Sequence, residues 1–160
     1  MKAQGGAMSE NDVVALNQLA YRYAAAVDAC DVVALQSVFT PNGRLRSYQP
    51  DALEPFADMV GHAQLAAIPN AMRGMYRHTA HMMTNHLVDI DGDRARGEVL
   101  CMARHLSADA ADPVSINVVI RYVDHYERTD GKWLIADREI RFLWSERHAV
   151  ADSGMGRGKS

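Results

Sequence analysis

The chain has 160 residues, nearly half of them apolar, and a formal net charge of −3. That is enough apolar side chain for one domain with its own core, and it excludes global disorder. The charge offers no basic surface to nucleic acid, and no apolar run is long enough to span a bilayer.

Residues 1–8 and 151–160 are small, polar and Gly-rich, and they read as a flexible leader and tail around a single domain at 9–150. The leader lacks the apolar stretch of a signal peptide. Cys30 and Cys101 make no disulfide framework, so both are expected as reduced thiols in a cytoplasmic protein.

In "SENDVVALNQLAYRYAAAVDACD", Ser9 stands as an N-cap with Asp12 three positions on. Val13, Leu16, Leu19, Ala20, Tyr23, Ala24 and Val27 follow at helical spacing. "DVVALQSVF" reads as a second, short helix capped by Asp31 and stopped by "TPNG". "RLRSYQ" alternates as a strand. "FADMVGHAQLAAIP" reads as a third helix ending before Pro69. From His78 the texture changes. "HTAHMMTNHLVDI", "DGD" and "RARGEVLCMARHL" form a hairpin pattern around an Asp-Gly turn, and "VSINVVIRYVDHYER", "TDG" and "KWLIADREIRFLW" form a second. Long strands are expected near 77–91, 93–106, 114–129 and 132–145. Helices first and a four-strand meander after them predict an α+β fold, with three helices packed on one face of a curved, mainly antiparallel sheet. A Gly-rich phosphate loop, a G-x-S-x-G elbow and a CxxC pair are all absent.

Strand parity sorts the candidate site residues. Ala95, Gly97, Val99, Cys101, Ala103 and His105 share one face, small and apolar until it meets His105. Small residues on a concave face leave room for a ligand. On the last strand Arg138, Ile140, Phe142 and Trp144 share a face, with Trp133, Ile135, Asp137 and Glu139 on the other. An Arg among apolar neighbours needs a partner. Arg138 therefore stabilises a leaving anion or pairs with an acid such as Asp124 or Asp28.

His78 and His81 are three apart, and His81 and His86 five apart. A regular strand sends each pair to opposite faces, where they cannot share a metal. A site from His81, His105 and Asp28 is geometrically possible, but no ligand spacing recommends it, and no metal or cofactor is expected. Met72, Met75, Met82 and Met83 read as core or pocket lining, and His78 and His86 as structural or surface residues.

"YRYAAAVDACDVVALQSVFTPNG", "RHTAHMMTNHLVDIDGDRARGEVLCMARH" and "RYVDHYERTDGKWLIADREI" together resemble the SnoaL-like branch of the nuclear-transport-factor-2-like superfamily, over most of residues 10–145. The resemblance implies a cone, a bent sheet wrapped around helices and enclosing an apolar pocket. Within the superfamily the likeness is to the dehydratases, such as scytalone dehydratase and bile acid 7α-dehydratase, and to hexachlorocyclohexane dehydrochlorinase. Those enzymes use an Asp–His pair. The "Y-x4-D" spacing of the bile acid enzyme is here Tyr23 to Asp28. The "H-x-x-T-N" stretch of the dehydrochlorinase is here His81 to Asn85. His105 falls where scytalone dehydratase has a second His, and Arg138 where the dehydrochlorinase has an Arg. The Ser and Asn that scytalone dehydratase carries on its fourth strand are here Ile120 and Tyr122, a departure that changes what the pocket can bind.

The resemblance implies catalytic roles for His81, Asp28, Tyr23 and Arg138. A substrate pocket is expected from Tyr48, Val99, Cys101, His105, Ile120, Tyr122, Ile140, Phe142 and Trp144. A His held by an Asp can remove a carbon-bound proton next to a leaving group or carbonyl, and Tyr23 can donate to a leaving oxygen. The alternatives are structural: Asp28 as a cap of the second helix, His81 and His105 as strand-end residues, Tyr23 as a core tyrosine.

The implied function is a cofactor-independent lyase or isomerase acting on a small, largely apolar cyclic substrate. Two others stand beside it: a non-catalytic binding or dioxygenase β-type module, and an aldol-type polyketide cyclase. The expected partner is a small molecule, with no nucleic acid and no membrane. Leu100 and Met102, between Arg96, Glu98 and Arg104 on the outer face, suggest self-association as a dimer or trimer.

Overall fold

The structure is a computed structural model and describes residues 10–109 and 112–150. Ser9 and the segments expected as leader and tail lie outside the described residues.

The first helix, α1 (Glu10–Asp28), buries Leu16, Leu19, Ala20, Tyr23, Ala24 and Val27 along one stripe. Asp12 lies near its start. Its carboxylate accepts the Trp133 indole N–H at 2.9 Å and pairs with Arg128 at 3.0 Å, tying the helix to the last hairpin. A short helix, α2 (Val32–Ser37), follows, and Asp31 caps it by accepting from the Ala34 N–H at 3.0 Å.

The chain then forms β1 (Phe39–Tyr48), β2 (Ala57–Val60), α3 (Gly61–Leu65) and α4 (Ala67–Met75). The third helix is thus present, but in two pieces and shifted along the chain. Residues 57–60 pair as a strand against β1, so helix begins only at Gly61. It also runs past Pro69 to Met75, because Pro69 sits in the first turn of α4, where its missing N–H leaves no hydrogen bond unmade.

Four long strands follow: β3 (Tyr76–Asp91), β4 (Arg94–Ser107), β5 (Val114–Thr129) and β6 (Lys132–Ala149). The six strands form one sheet in the order β2-β1-β6-β5-β4-β3. All neighbours are antiparallel except β1 and β6, which run parallel. The helices pack into its concave face in a single apolar core. Burial alternates cleanly along β4, whose even-spaced set from Ala95 to His105 points inward.

Alternation fails on β3 and β6, and the failures shape the concave face. Met83 pairs with Cys101 but His86 with Val99, so one extra residue is accommodated between them. His81 and His86 therefore face the same side of the sheet despite their spacing of five. His86 points inward: its Nδ1 lies 2.8 Å from Asn17 Oδ1 and its Nε2 3.2 Å from the Tyr126 hydroxyl. Gly97 makes room for this, since a Cβ there would come within 3.0 Å of both His86 and Tyr126.

On β6, Ile135 pairs with Tyr126 and Asp137 with His125, leaving Ala136 as an extra residue. Trp133 and Ile135 consequently share the inner face with Arg138, Ile140 and Phe142. A second slip at Leu143 pairs Trp144 with Val119 instead of Val118. Trp144 leaves the inner face and stands half exposed.

Candidate functional site

α1 ends at Asp28, and the chain reverses through Cys30, whose φ of 51° is left-handed. The Asp28 carboxylate thereby meets the start of β3, and three donors converge on it. Thr79 Oγ1 donates to Oδ1 at 2.7 Å, and the His81 backbone N–H donates to Oδ2 at 2.9 Å. His81 Nδ1 lies 2.7 Å from Oδ1. An ionised carboxylate only accepts, so His81 carries a proton on Nδ1 in this contact, and Nε2 is the ring nitrogen turned away from Asp28. Burial by itself would raise Asp28. The hydrogen bonds from the His81 ring, its backbone N–H and Thr79 outweigh that and hold the carboxyl below the ordinary carboxylate range.

His81 lines a cavity of about 370 Å³. This is a usual size for a small-molecule site. His105 and Tyr76 join His81 on one wall, Tyr23 and Tyr122 lie deeper, and Ile120, Ile140 and Phe142 supply apolar surface. The apolar side of α4 closes the cavity with Ile68, Ala71, Met72 and Met75. The His105 ring stacks on Tyr76 with centroids 4.6 Å apart and meets the His81 ring edge-on at 5.2 Å. Burial first and the neighbouring His81 second push His105 down to about 4, so it is neutral near pH 7. Its Nδ1 is buried with no hydrogen-bond partner.

Tyr23 is fully buried, and burial pushes its hydroxyl up to about 12, which keeps it protonated. Arg138 lies behind this wall. Its guanidinium lies over the rings of both Tyr23 and Tyr122, at 4.1 and 4.4 Å from their centroids. It forks onto Asp124 at 2.7 and 2.6 Å, and Asp124 also accepts the Tyr126 hydroxyl at 2.6 Å. Burial disfavours the charge, but Asp124 outweighs burial and holds Arg138 firmly protonated. Of the two roles open to Arg138, the structure shows the ion pair with Asp124.

The cavity thus gathers Tyr23, His81, His105, Ile120, Tyr122, Ile140 and Phe142, with Asp28 immediately behind His81. It does not gather the others. Val99 and Cys101 point inward but are closed into the core with Leu16 and Ala20. Burial pushes the Cys101 thiol up to about 11, far from a reactive thiolate. Tyr48 alternates away from the cavity-lining Leu45 and Ser47; its hydroxyl accepts from Arg46 and its ring lies under Arg141. Trp144 is lost to the bulge at Leu143. Arg138 lies one layer behind the cavity wall.

Sequence reasoning missed Thr79, although it shares the parity of His81 two residues on. It also missed Ser47, which shares the parity of Leu45, and the apolar face of α4, hidden by the expectation that Pro69 ends the helix.

Helices set into a curved sheet around an apolar cavity define a cone of the nuclear-transport-factor-2-like superfamily. The chain belongs to the SnoaL-like domain family, which matches residues 9–139. A protein assigned as an aromatic ring hydroxylase from Novosphingobium aromaticivorans is 25% identical, with a TM-score of 0.73 over 89% of this chain and 96% of that one. A protein assigned as a scytalone dehydratase from the same organism is 19% identical, with a TM-score of 0.71 over 93% and 96% of the two chains. The hexachlorocyclohexane dehydrochlorinase LinA-type3 from Novosphingobium barchaimii is 16% identical, with a TM-score of 0.72 over 92% and 96%. The last two are likenesses of fold. No curated protein matches the chain. No helix among the described residues is long and apolar enough to cross a membrane.

Proposed function

We propose that this chain is a cofactor-independent lyase that eliminates water or halide from a small, largely apolar cyclic substrate. The observation that carries the reading is the 2.7 Å contact of His81 Nδ1 with Asp28 on the wall of an apolar cavity. In the proposed step His81 Nε2 takes a proton from carbon. The C–H electrons become the new double bond, and the leaving group departs from the adjacent carbon with its bonding pair. Asp28 stays ionised and stabilises the imidazolium, which an apolar wall alone would disfavour. Tyr23, held protonated, donates to the departing group. Neutral His105 offers a hydrogen bond beside it. Arg138 acts through Tyr23 and Tyr122 by fixing their rings. The dehydratase and dehydrochlorinase relatives support this reaction class.

A generic probe tests the base without knowledge of the natural substrate. 5-Nitrobenzisoxazole reacts by C–H deprotonation with N–O cleavage and gives a coloured phenolate. The protein is expected to accelerate it, and His81→Ala to lose about 100-fold or more of that rate with the fold intact, as general-base removal does. A folded His81→Ala variant with an unchanged rate would overturn the lyase reading in favour of a binding module.

A further inference from the structure

The cavity has two unlike walls. One carries the imidazoles of His81 and His105. The other is formed by β1, β2 and β6, and its lining from Leu45, Phe56, Ala57, Met59, Ile140 and Phe142 is apolar. A single polar side chain interrupts it, Ser47 on β1. Ser47 is 7% exposed, lines the cavity, and pairs in register with Ala57 on one side and Ile140 on the other. Its backbone carbonyl is used, accepting from the Phe56 N–H at 2.8 Å. Its hydroxyl meets no hydrogen-bonding group among the described residues. A ligand that fills the cavity against this apolar wall leaves the hydroxyl without a partner, which is costly unless the ligand brings an oxygen to it. In the sheet order three strands, β6, β5 and β4, separate β1 from β3, which bears His81. The free hydroxyl and the dyad therefore address different ends of a bound molecule.

We propose that Ser47 is a specificity residue whose hydroxyl hydrogen-bonds a second oxygen of the substrate, at the end away from the dyad. The inference rests on the cavity being the substrate site and narrows the substrate class. The substrate is a ring system with oxygen functions at two opposed ends and an apolar middle. The middle lies against Ile120, Ile140 and Phe142. A ring oxygenated only at the reacting end leaves Ser47 unpartnered and binds less well. Recognition by a buried hydroxyl is a sharp filter, because the analogue that lacks the oxygen strands a polar group of the site.

The test compares 2-naphthol with 2,6- and 2,7-dihydroxynaphthalene as ligands of the intact protein and of Ser47→Ala, by calorimetry. Ring signals of His81 and His105, followed by NMR, report whether the ligand occupies the cavity. At least one diol is expected to bind the unmodified protein about three- to tenfold more tightly than 2-naphthol, the range of one neutral hydrogen bond. Ser47→Ala should erase that preference without weakening the binding of 2-naphthol, which no longer strands a hydroxyl. Equal affinity for all three ligands, or a diol preference that survives Ser47→Ala, overturns the role of Ser47 while the histidine shifts keep the cavity as the binding site. Absence of histidine shifts with every ligand overturns the cavity reading itself, and the role of Ser47 with it.

Discussion

Replacing Asp28 with Asn tests the dyad most directly, because the two side chains are isosteric and differ only in what they can accept and donate. Asp28 now receives hydrogen bonds at both oxygens, from Thr79 and the His81 ring at Oδ1 and from the His81 backbone N–H at Oδ2. An amide has one acceptor oxygen and one donor NH2. If the oxygen stays toward Thr79 and the ring, the NH2 group faces the His81 backbone N–H, donor against donor. If the amide turns over, its NH2 donates to His81 Nδ1, and the imidazole must carry its proton on Nε2, where the base should be. The first arrangement costs a hydrogen bond, and the second removes the base. Asn also supplies no negative charge to stabilise an imidazolium. The expected loss in the 5-nitrobenzisoxazole reaction is about 10²- to 10⁴-fold. That is about 3–5 kcal/mol of barrier. Nitrogen-15 NMR of the imidazole gives a second readout free of any substrate: Nδ1–H in the unmodified protein, and a shift toward Nε2–H in Asp28→Asn. Stability should follow the carboxyl. Its folded value lies below the ordinary carboxylate range, so its contribution is present above that range and fades as pH falls through the folded value. The deficit of Asp28→Asn should therefore be full near pH 7 and close in acid. An unmodified protein with its His81 proton on Nε2, or an Asp28→Asn variant with full activity, would refute the reasoning.

Two further outcomes bear on the scaffold. Arg138→Met should cost about 3–5 kcal/mol in urea unfolding, since it strands a buried carboxylate. Adding Asp124→Leu should recover most of that; a single variant within about 1 kcal/mol of the parent would contradict the buried-pair account. On the outer face, Met82, Met102, Val119 and Trp144 stand opposite one another across β3, β4, β5 and β6, and three of them are 43–51% exposed. Such a row has the character of an association surface, and the expected outcome is that sedimentation at micromolar concentration shows a dimer or trimer that Met102→Glu dissolves; a monomeric parent protein would refute it.

How far the sequence carried depends on which physical signal each residue left. The order of elements was legible because hydrophobic periodicity switches from helical to alternating near His78, and Asp-Gly turns mark the hairpins. β4 was legible residue by residue, since its alternation is unbroken and its partners on both sides pair without a slip through Cys101 and Ala103. β3 and β6 were not. A bulge is one extra residue with no sequence signature, and each one reverses parity for the rest of the strand. The bulge after Met83 brings His86 inward beside Tyr126, and the one at Ala136 turns Trp133 and Ile135 inward. The one at Leu143 sends Trp144 outward. The same three slips bend the sheet, and the bend makes a cavity out of what would otherwise be a flat face. Residues at bulges are thus misread for the same reason that the site exists. Asp28 and His81 escape this error because Asp28 ends a helix and His81 lies in the unbroken stretch of β3 between the slip near Tyr76 and the one after Met83. Ser47 escaped notice because a lone serine on a short strand carries no pattern. Its meaning comes only from the apolar wall that the bent sheet folds around it.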